Sequence, residues 1–221
     1  MSDVSANLTE IQARITKRAK KWGEDPDTVT LIAVSKQQPI DRVEAALKAG
    51  HRVYGENRVQ EAQGKWPELK EKYDGTELHL IGPLQSNKAK DAVALFDVIQ
   101  TVDRPKIARA LADEMKKSGR NLPVYIQINI GAEDQKAGID IADADAFIAE
   151  CRDVYGLDVQ GLMCIPPAEE QPAPFFALLG KIAKRNGLSK LSMGMSSDYE
   201  IAVQFGASLV RVGTGVFGAR G

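Results

Sequence analysis

Short runs rich in β-branched residues alternate with segments of helical periodicity along most of the chain. The runs that fit buried strands are 30–36, 52–57, 77–83, 98–103, 124–130, 157–165, 190–195 and 209–217. The segments between them that fit helices are 39–49, 59–73, 86–96, 105–118, 142–154, 175–186 and 197–205. Because consecutive parallel strands are joined through crossover helices, this alternation predicts a parallel sheet with right-handed connections.

Eight strands with seven intervening helices predict an α/β fold of the (β/α)8 TIM barrel type that lacks its last helix. An extra N-terminal helix precedes the first strand, and we expect it to cover the gap. An open doubly wound sheet is the alternative, but the segment 35–39 after the first strand contains no glycine for a G-x-G-x-x-G turn. The apolar residues of the N-terminal helix fall three and four positions apart: Leu8, Ile11, Ile15, Ala19 and Trp22.

The length of 221 residues suits one such barrel, so we expect a single domain over residues 1–221. The 29 Lys and Arg residues nearly balance the 30 Asp and Glu residues, and no basic stretch is interleaved with aromatic residues, so no nucleic-acid partner is expected. Neither a leader nor a membrane segment is predicted. Cys151 and Cys164 have no metal-site or disulfide spacing, which fits a reduced cytoplasm.

In a parallel barrel, functional residues gather at the carboxyl ends of the strands. Lys36 ends the first predicted strand, and barrel closure brings it beside the eighth, which carries Arg211, Gly213 and Thr214. Glycines let backbone amides approach a phosphate, and Ser196, just before a predicted helix, offers a second anion-binding turn. An amine beside two such turns predicts a pyridoxal phosphate site. A solvated lysine and simple helix capping are the alternative interpretations.

Other residues near strand ends are further candidates. Arg211 interrupts an apolar strand, so it would either pair with a buried carboxylate or donate to the pyridine nitrogen of the cofactor. Asn57 and His79 could each bind a ligand or satisfy neighbouring backbone groups. Tyr54 is a candidate acid, although core packing is the commoner role, and Met163 fits packing. Because His79 has no second histidine nearby, no metal site is predicted.

Six blocks of sequence, spread from the first strand to the last, carry a family pattern. With these blocks in this order, the chain resembles the pyridoxal phosphate homeostasis protein family. The resemblance implies a fold-type III barrel, similar to the N-terminal domain of alanine racemases and ornithine decarboxylases, with pyridoxal 5'-phosphate as the cofactor. The blocks are Ala33 to Lys36, Tyr54 to Asn57, His79 to Lys88, Gly161 to Met163, Leu191 to Ser196 with Asp198, and Arg211 to Gly218.

The resemblance also implies roles for individual residues. Lys36 would hold the cofactor as a Schiff base, and Arg211 would face its pyridine nitrogen. Leu78 stands where many members have an aromatic residue, so no ring contact is expected from that position. The residues implied to take the phosphate are Ser196, Gly213 and Thr214, and those implied to line the rest of the pocket are Asn57, His79, Met163 and Ser192.

The family resemblance implies a protein that buffers, stores or delivers pyridoxal phosphate, so we expect a cytoplasmic monomer without catalytic residues or turnover. Apo-enzymes that depend on pyridoxal phosphate are its candidate partners. Alanine racemases add a C-terminal domain, and a tyrosine from the partner subunit completes each active site; this chain ends near the end of the barrel. Two alternatives stay open: a small racemase using Tyr54 or His79, and a Schiff-base aldolase using Lys36 without pyridoxal phosphate.

Overall fold

Eight parallel strands close into a barrel in the computed structural model, which describes residues 3–134 and 136–219. The first strand pairs with both the second and the eighth, so the sheet has no free edge. The predicted (β/α)8 TIM barrel is therefore confirmed. The strands are β1 (Thr30–Val34), β2 (Val53–Glu56), β3 (Glu77–Leu80), β4 (Val98–Val102), β5 (Val124–Ile128), β6 (Val159–Cys164), β7 (Lys190–Ser192) and β8 (Leu209–Val212).

Helices surround the barrel, and short 3-10 turns at Pro26–Thr28 and Ser86–Lys88 complete the connections. The α-helices are α1 (Val4–Trp22), α2 (Ile40–Lys48), α3 (Val59–Gln63), α4 (Trp66–Lys72), α5 (Ala89–Leu95), α6 (Pro105–Ser118), α7 (Ala144–Asp153), α8 (Ala173–Arg185), α9 (Tyr199–Gln204) and α10 (Thr214–Phe217). No helix in residues 3–134 or 136–219 has the length and apolar character needed to cross a bilayer.

Two predicted elements are each divided in the structure. The predicted helix 59–73 is α3 followed by α4, because Pro67 has no N–H for the bond that a continuous helix would need. Proline is instead tolerated in the first turn of the new helix. The predicted strand 209–217 stops at Val212, and the glycine-flanked segment after it forms the short helix α10.

Helix α1 fills the gap in the outer ring, as predicted. It packs against α9, α10 and α2. The carboxylate of Asp3 accepts hydrogen bonds from the N–H groups of Ser5 at 3.0 Å and Ala6 at 3.1 Å, which caps the helix. At the other end, Gly23 takes the left-handed conformation, with φ 77°, and ends it. Trp22, expected on the buried stripe, is 49% exposed instead.

The apolar core has two parts. The larger part lies between the outer faces of the strands and the helices, and it includes the buried stripe of α1. The smaller part fills the interior of the barrel. This inner cluster lies between the two ends of the barrel. Its buried members are Ile32, Val98, Tyr125, Met163 and Leu209.

Replacing Ile15 tests whether α1 is an integral part of the barrel. Ile15 is fully buried, so Ile15→Ala should lower the free energy of unfolding by about 2–5 kcal/mol through lost burial and a residual cavity. Trp22→Ala removes a larger but half-exposed side chain, and we expect a much smaller loss. Urea unfolding followed by circular dichroism measures both. Equal losses for the two variants would contradict the packing of α1.

Candidate functional site

A cavity of about 190 Å³ lies at the carboxyl end of the strands. Clefts for drug-sized ligands measure ~300–1,000 Å³, so this one suits a single compact molecule. Six of the nine predicted site residues line it: Lys36, Asn57, Ser196, Arg211, Gly213 and Thr214. The residues of the wall that sequence reasoning missed are Val34, Gln38, Ile81, Ile165 and Met195.

A buried polar network holds the end of β1 just before Lys36. The Ser35 hydroxyl donates to Glu56 Oε1 at 2.7 Å, and the Lys65 ammonium donates to the Ser35 carbonyl and to Glu56 Oε1, both at 2.9 Å. The indole N–H of Trp66 gives Glu56 Oε1 a further hydrogen bond at 3.0 Å. Because both the hydroxyl and the carbonyl of Ser35 are hydrogen-bonded, the backbone position from which Lys36 projects is fixed.

The chain turns sharply directly after Lys36. Gln37 has a φ of 56°, which is uncommon for a residue other than glycine. The N–H of Gln37 donates to the Glu61 carboxylate at the start of α3, which holds this unfavourable conformation in place. Gln38 is then buried and lines the cavity. The turn thus leaves Lys36 at the rim of the barrel instead of continuing the strand.

Arg211 lies on β8, the strand that pairs with β1, and is only 4% exposed. Its NH1 group donates to Ser192 Oγ at 2.6 Å and its NH2 group to the Cys164 carbonyl at 2.9 Å. Burial lowers the pKa of this guanidinium. No carboxylate among the described residues forms an ion pair with it, and its Nε–H makes no hydrogen bond with them. A donor therefore remains for a ligand in the cavity.

The turn before α9, which the sequence predicts to bind an anion, has a free donor. Gly194 has a φ of 89°, and a side chain there would come within 2.5 Å of Ala202 Cβ, so only glycine fits this turn. Asp198 accepts from the Met195 N–H at 2.6 Å, within the turn. No side-chain hydrogen bond caps α9, so the capping interpretation is wrong for Ser196, whose exposed hydroxyl makes no hydrogen bond with described residues.

The second predicted turn, at the end of β8, has a related geometry. Gly213 lies directly before α10, and a side chain there would contact the Val34 carbonyl at 3.3 Å. The first N–H groups of a helix have no partner within the helix, so those of α10 stay available beside the Thr214 hydroxyl. Gly213 and Thr214 line the same cavity as Ser196. The turns at β7 and β8 therefore supply donors from two sides.

Three predicted site residues lie elsewhere, each one layer too deep. Side chains two residues apart on a strand share a face, about 7 Å apart. Ile81 and Ile165 line the cavity, whereas His79 and Met163, two residues earlier on β3 and β6, lie inside the barrel. Ser192 also lies inside and reaches the site only through Arg211. The prediction that His79 sits at a strand tip is wrong.

Two residues that support the site were missed for different reasons. Glu56 belongs to one of the six sequence blocks, but the sequence does not show that its side chain is buried. In the structure, its Oε2 atom is buried and makes no hydrogen bond with the described residues. The role of Lys65 could not be predicted from the sequence, because its hydrogen bond to the Ser35 carbonyl joins residues thirty positions apart. Among the described residues, no group of three or more His, Cys, Asp or Glu side chains is arranged to hold a metal ion.

Comparison with known proteins agrees with this arrangement. The family model for the alanine racemase N-terminal domain matches residues 6–221. The pyridoxal phosphate homeostasis protein of Pseudomonas aeruginosa is 41% identical over 225 residues, covering 100% of this chain and 97% of the relative. That of Escherichia coli K12 is 38% identical over 229 residues, covering 100% and 98%. The chain belongs to the pyridoxal phosphate homeostasis protein family.

A solved structure gives the family a three-dimensional reference. PipY of Synechococcus elongatus PCC7942, with pyridoxal phosphate bound, is 38% identical to this chain. The match covers 92% of this chain and 100% of PipY, with a TM-score of 0.79. The family resemblance and the alanine-racemase-like barrel expected from the six sequence blocks are thereby confirmed.

Breaking the buried pair under β1 tests how much the site depends on it. Lys65→Met leaves the Glu56 carboxylate buried without its cation, so we expect the free energy of unfolding to fall by about 3–5 kcal/mol. Lys72→Met is the matched control, because it removes the same charge from an exposed pair with Glu44 and should cost at most about 1 kcal/mol. Denaturant unfolding measures both variants, and equal losses would contradict the account.

Proposed function

We propose that the chain binds pyridoxal 5'-phosphate in the cavity between Lys36 and Arg211 and maintains the intracellular supply of this cofactor by storage, buffering or delivery. The observation that carries the proposal is the buried Arg211, which has no carboxylate partner among the described residues and opens on the same cavity as Lys36. The names of the relatives and the pyridoxal phosphate bound in PipY support this ligand.

Each part of the cavity suits one part of the cofactor. When bound, pyridoxal phosphate supplies an aldehyde that condenses with a lysine amine as a Schiff base, and Lys36 is the lysine that lines the cavity. The two turns described above would bind the phosphate through Ser196, Gly213 and Thr214, and Asn57 would add a polar contact. Ser192 acts through Arg211. His79 and Met163 are no longer proposed as cofactor contacts.

Arg211 sets the electronic character of the site. A guanidinium only donates hydrogen bonds and keeps its protons, so Arg211 would donate a hydrogen bond to a pyridine nitrogen that faced it and would keep that nitrogen unprotonated. An unprotonated ring withdraws electrons less strongly, which disfavours carbanion chemistry. The position of Arg211 thus favours holding the cofactor over using it.

The racemase alternative lacks a second proton-transfer group at the cavity. Racemisation needs one on each face of the bound substrate. Tyr54 packs against Trp66, donates to the His51 carbonyl at 3.2 Å, and has its pKa raised by burial. His79 lies one layer below the cavity wall. Among the described residues that line the cavity, Lys36 alone carries an ordinary acid or base, so the geometry supports binding without turnover.

We further propose a cytoplasmic monomer of one domain, residues 1–221, that passes the cofactor to apo-enzymes. The buried cysteines fit a reducing compartment: burial raises the pKa of both thiols to about 12, so neither is poised to form a disulfide. Cys151 lies on α7 and Cys164 at the end of β6.

Covalent trapping tests the assignment of Lys36. Borohydride reduction of the protein loaded with pyridoxal phosphate, followed by peptide mass mapping, should place a pyridoxyl adduct on Lys36. Lys36→Ala should lose the visible absorption band and still fold, because a half-buried side chain at a strand end contributes little to the core. Lys17→Ala, at an exposed site on α1, is the control and should keep the band. An adduct confined to another lysine would refute the assignment.

Turnover measurements test the claim that the site holds the cofactor without using it. Alanine and serine incubated with the loaded protein in deuterated water should exchange and racemise only slightly faster than with free cofactor, because Lys36 is the single ordinary acid or base among the described residues that line the cavity. Nuclear magnetic resonance measures α-deuteration, and chiral chromatography measures racemisation. Turnover of about 1 per second or more, abolished by Lys36→Ala, would instead establish an enzyme.

A further inference from the structure

A second, larger cavity opens at the other end of the barrel. Its volume is about 680 Å³, within the ~300–1,000 Å³ typical of small-molecule sites. None of the residues proposed to contact pyridoxal phosphate lines it. Every strand contributes its first or second residue to the wall: Thr30, Val53, Glu77, Val98, Tyr125, Gln160, Lys190 and Leu209.

Tyr125 brings to this cavity a polar group that the protein leaves unsatisfied. The residue is 4% exposed, and its hydroxyl makes no hydrogen bond with any described residue. Burial, with a smaller contribution from the negative charge of Glu77, raises the pKa of Tyr125 to about 12. The hydroxyl therefore keeps its hydrogen at neutral pH. The hydroxyl lies at the wall of the cavity, where it can both donate and accept a hydrogen bond with a ligand.

A chain of hydrogen bonds with a fixed direction runs from Arg211 to the same cavity. Arg211 can only donate, so Ser192 Oγ accepts a hydrogen bond from it at 2.6 Å. The Ser192 hydroxyl in turn donates a hydrogen bond to Gln100 Oε1 at 2.5 Å. This orients the Gln100 amide, whose Nε2 donates to His79 Nδ1 at 2.7 Å. His79 then carries its hydrogen on Nε2 and donates it to Glu77 Oε1 at 2.5 Å.

Glu77 consequently supplies a negative charge to the cavity. Because Nδ1 of His79 already accepts a hydrogen bond, the contact from Nε2 is a hydrogen bond from an imidazole with a single hydrogen. That hydrogen bond lowers the pKa of the Glu77 carboxyl, against the opposing effect of burial. The second carboxylate oxygen makes no hydrogen bond with described residues, and the side chain is 49% exposed. It is free to bind a cation.

Lys190 supplies the opposite charge to the same wall. It is close enough to lower the pKa of Glu77, yet the two form no ion pair within the described part of the chain. A molecule with separate positive and negative groups can therefore lie between them. The apolar side chains of Val53, Val98 and Leu209 also line the cavity.

We propose that this cavity binds a small zwitterion of the α-amino-acid class with an apolar side chain. Its ammonium contacts Glu77, its carboxylate contacts Lys190 and the Tyr125 hydroxyl, and its side chain packs on Val98 and Leu209. A simple anion would be repelled by Glu77, and a simple amine would leave Lys190 and Tyr125 without a partner. The site is separate from the one proposed for pyridoxal phosphate and does not depend on it.

The test uses L-leucine as the probe, with two analogues of similar shape. Saturation-transfer nuclear magnetic resonance is recorded on the full chain without added pyridoxal phosphate, so that the amine meets no aldehyde. L-Leucine should bind with a Kd of about 1 mM or tighter. 4-Methylpentanoate lacks the ammonium and 3-methylbutylamine lacks the carboxylate, so each should bind at least about tenfold more weakly.

Two conservative variants locate the site. Tyr125→Phe and Glu77→Gln should each weaken L-leucine binding by about tenfold or more, because each removes one polar contact. Tyr155→Phe, which removes a hydroxyl that is bonded to Glu150, is the control and should bind like the unmodified protein. The analogue comparison uses the unmodified chain, so it stands even if a variant fails to fold. Equal binding of the three probes, unchanged affinity in both cavity variants, or no L-leucine binding below about 10 mM would overturn the proposal.

Discussion

The guanidinium of Arg211 is a buried positive charge that forms no ion pair in the described structure, and much of the polar interior follows from this. A buried charge must be hydrogen-bonded, and here a hydroxyl and a backbone carbonyl supply the partners. Because Arg211 only donates, its contact fixes the hydrogen positions of Ser192, Gln100 and His79 in turn. Towards the cavity, Arg211 favours a ligand with a hydrogen-bond acceptor, because the guanidinium can only donate.

The position of Lys36 is fixed in a different way, by the hydrogen bonds that hold the preceding residue, Ser35. The buried Glu56 carboxylate gathers the Ser35 hydroxyl, the Lys65 ammonium and the Trp66 indole at one oxygen. Such a network rigidifies a site only while every member is present, since each lost partner leaves another group unsatisfied. The ends of β1 and β8 are thus held by independent interactions. Their hydrogen-bonded register then sets the relative positions of Lys36 and Arg211.

The alternation of strands and helices predicted the barrel because both periodicities are local properties of the sequence. How deep a side chain lies along the barrel axis is not a local property of the sequence. His79, Met163 and Ser192 were each placed at the rim, yet the rim positions belong to residues farther along, such as Ile81 and Ile165. Where a strand ladder ends depends on its neighbours and on the tilt of the barrel, and apolar runs continue past that point.

Long-range polar contacts escaped sequence reasoning for a related reason. Gln100 lies in the middle of β4, and nothing in its neighbourhood in the sequence shows that it joins His79 to Ser192, residues from two other strands. The cavity at the far end of the barrel was equally invisible, because it is formed by the first residues of eight strands that are far apart in the sequence. Motifs identified the chemistry at one end only.

A crystal structure grown with pyridoxal 5'-phosphate tests the central claim most directly. Our account predicts continuous density from Lys36 Nζ to the cofactor, the pyridine nitrogen within hydrogen-bond distance of Arg211, and the phosphate between the turns of Ser196 and Thr214. Cofactor density elsewhere, or a ring turned so that Arg211 meets the phosphate, would contradict it.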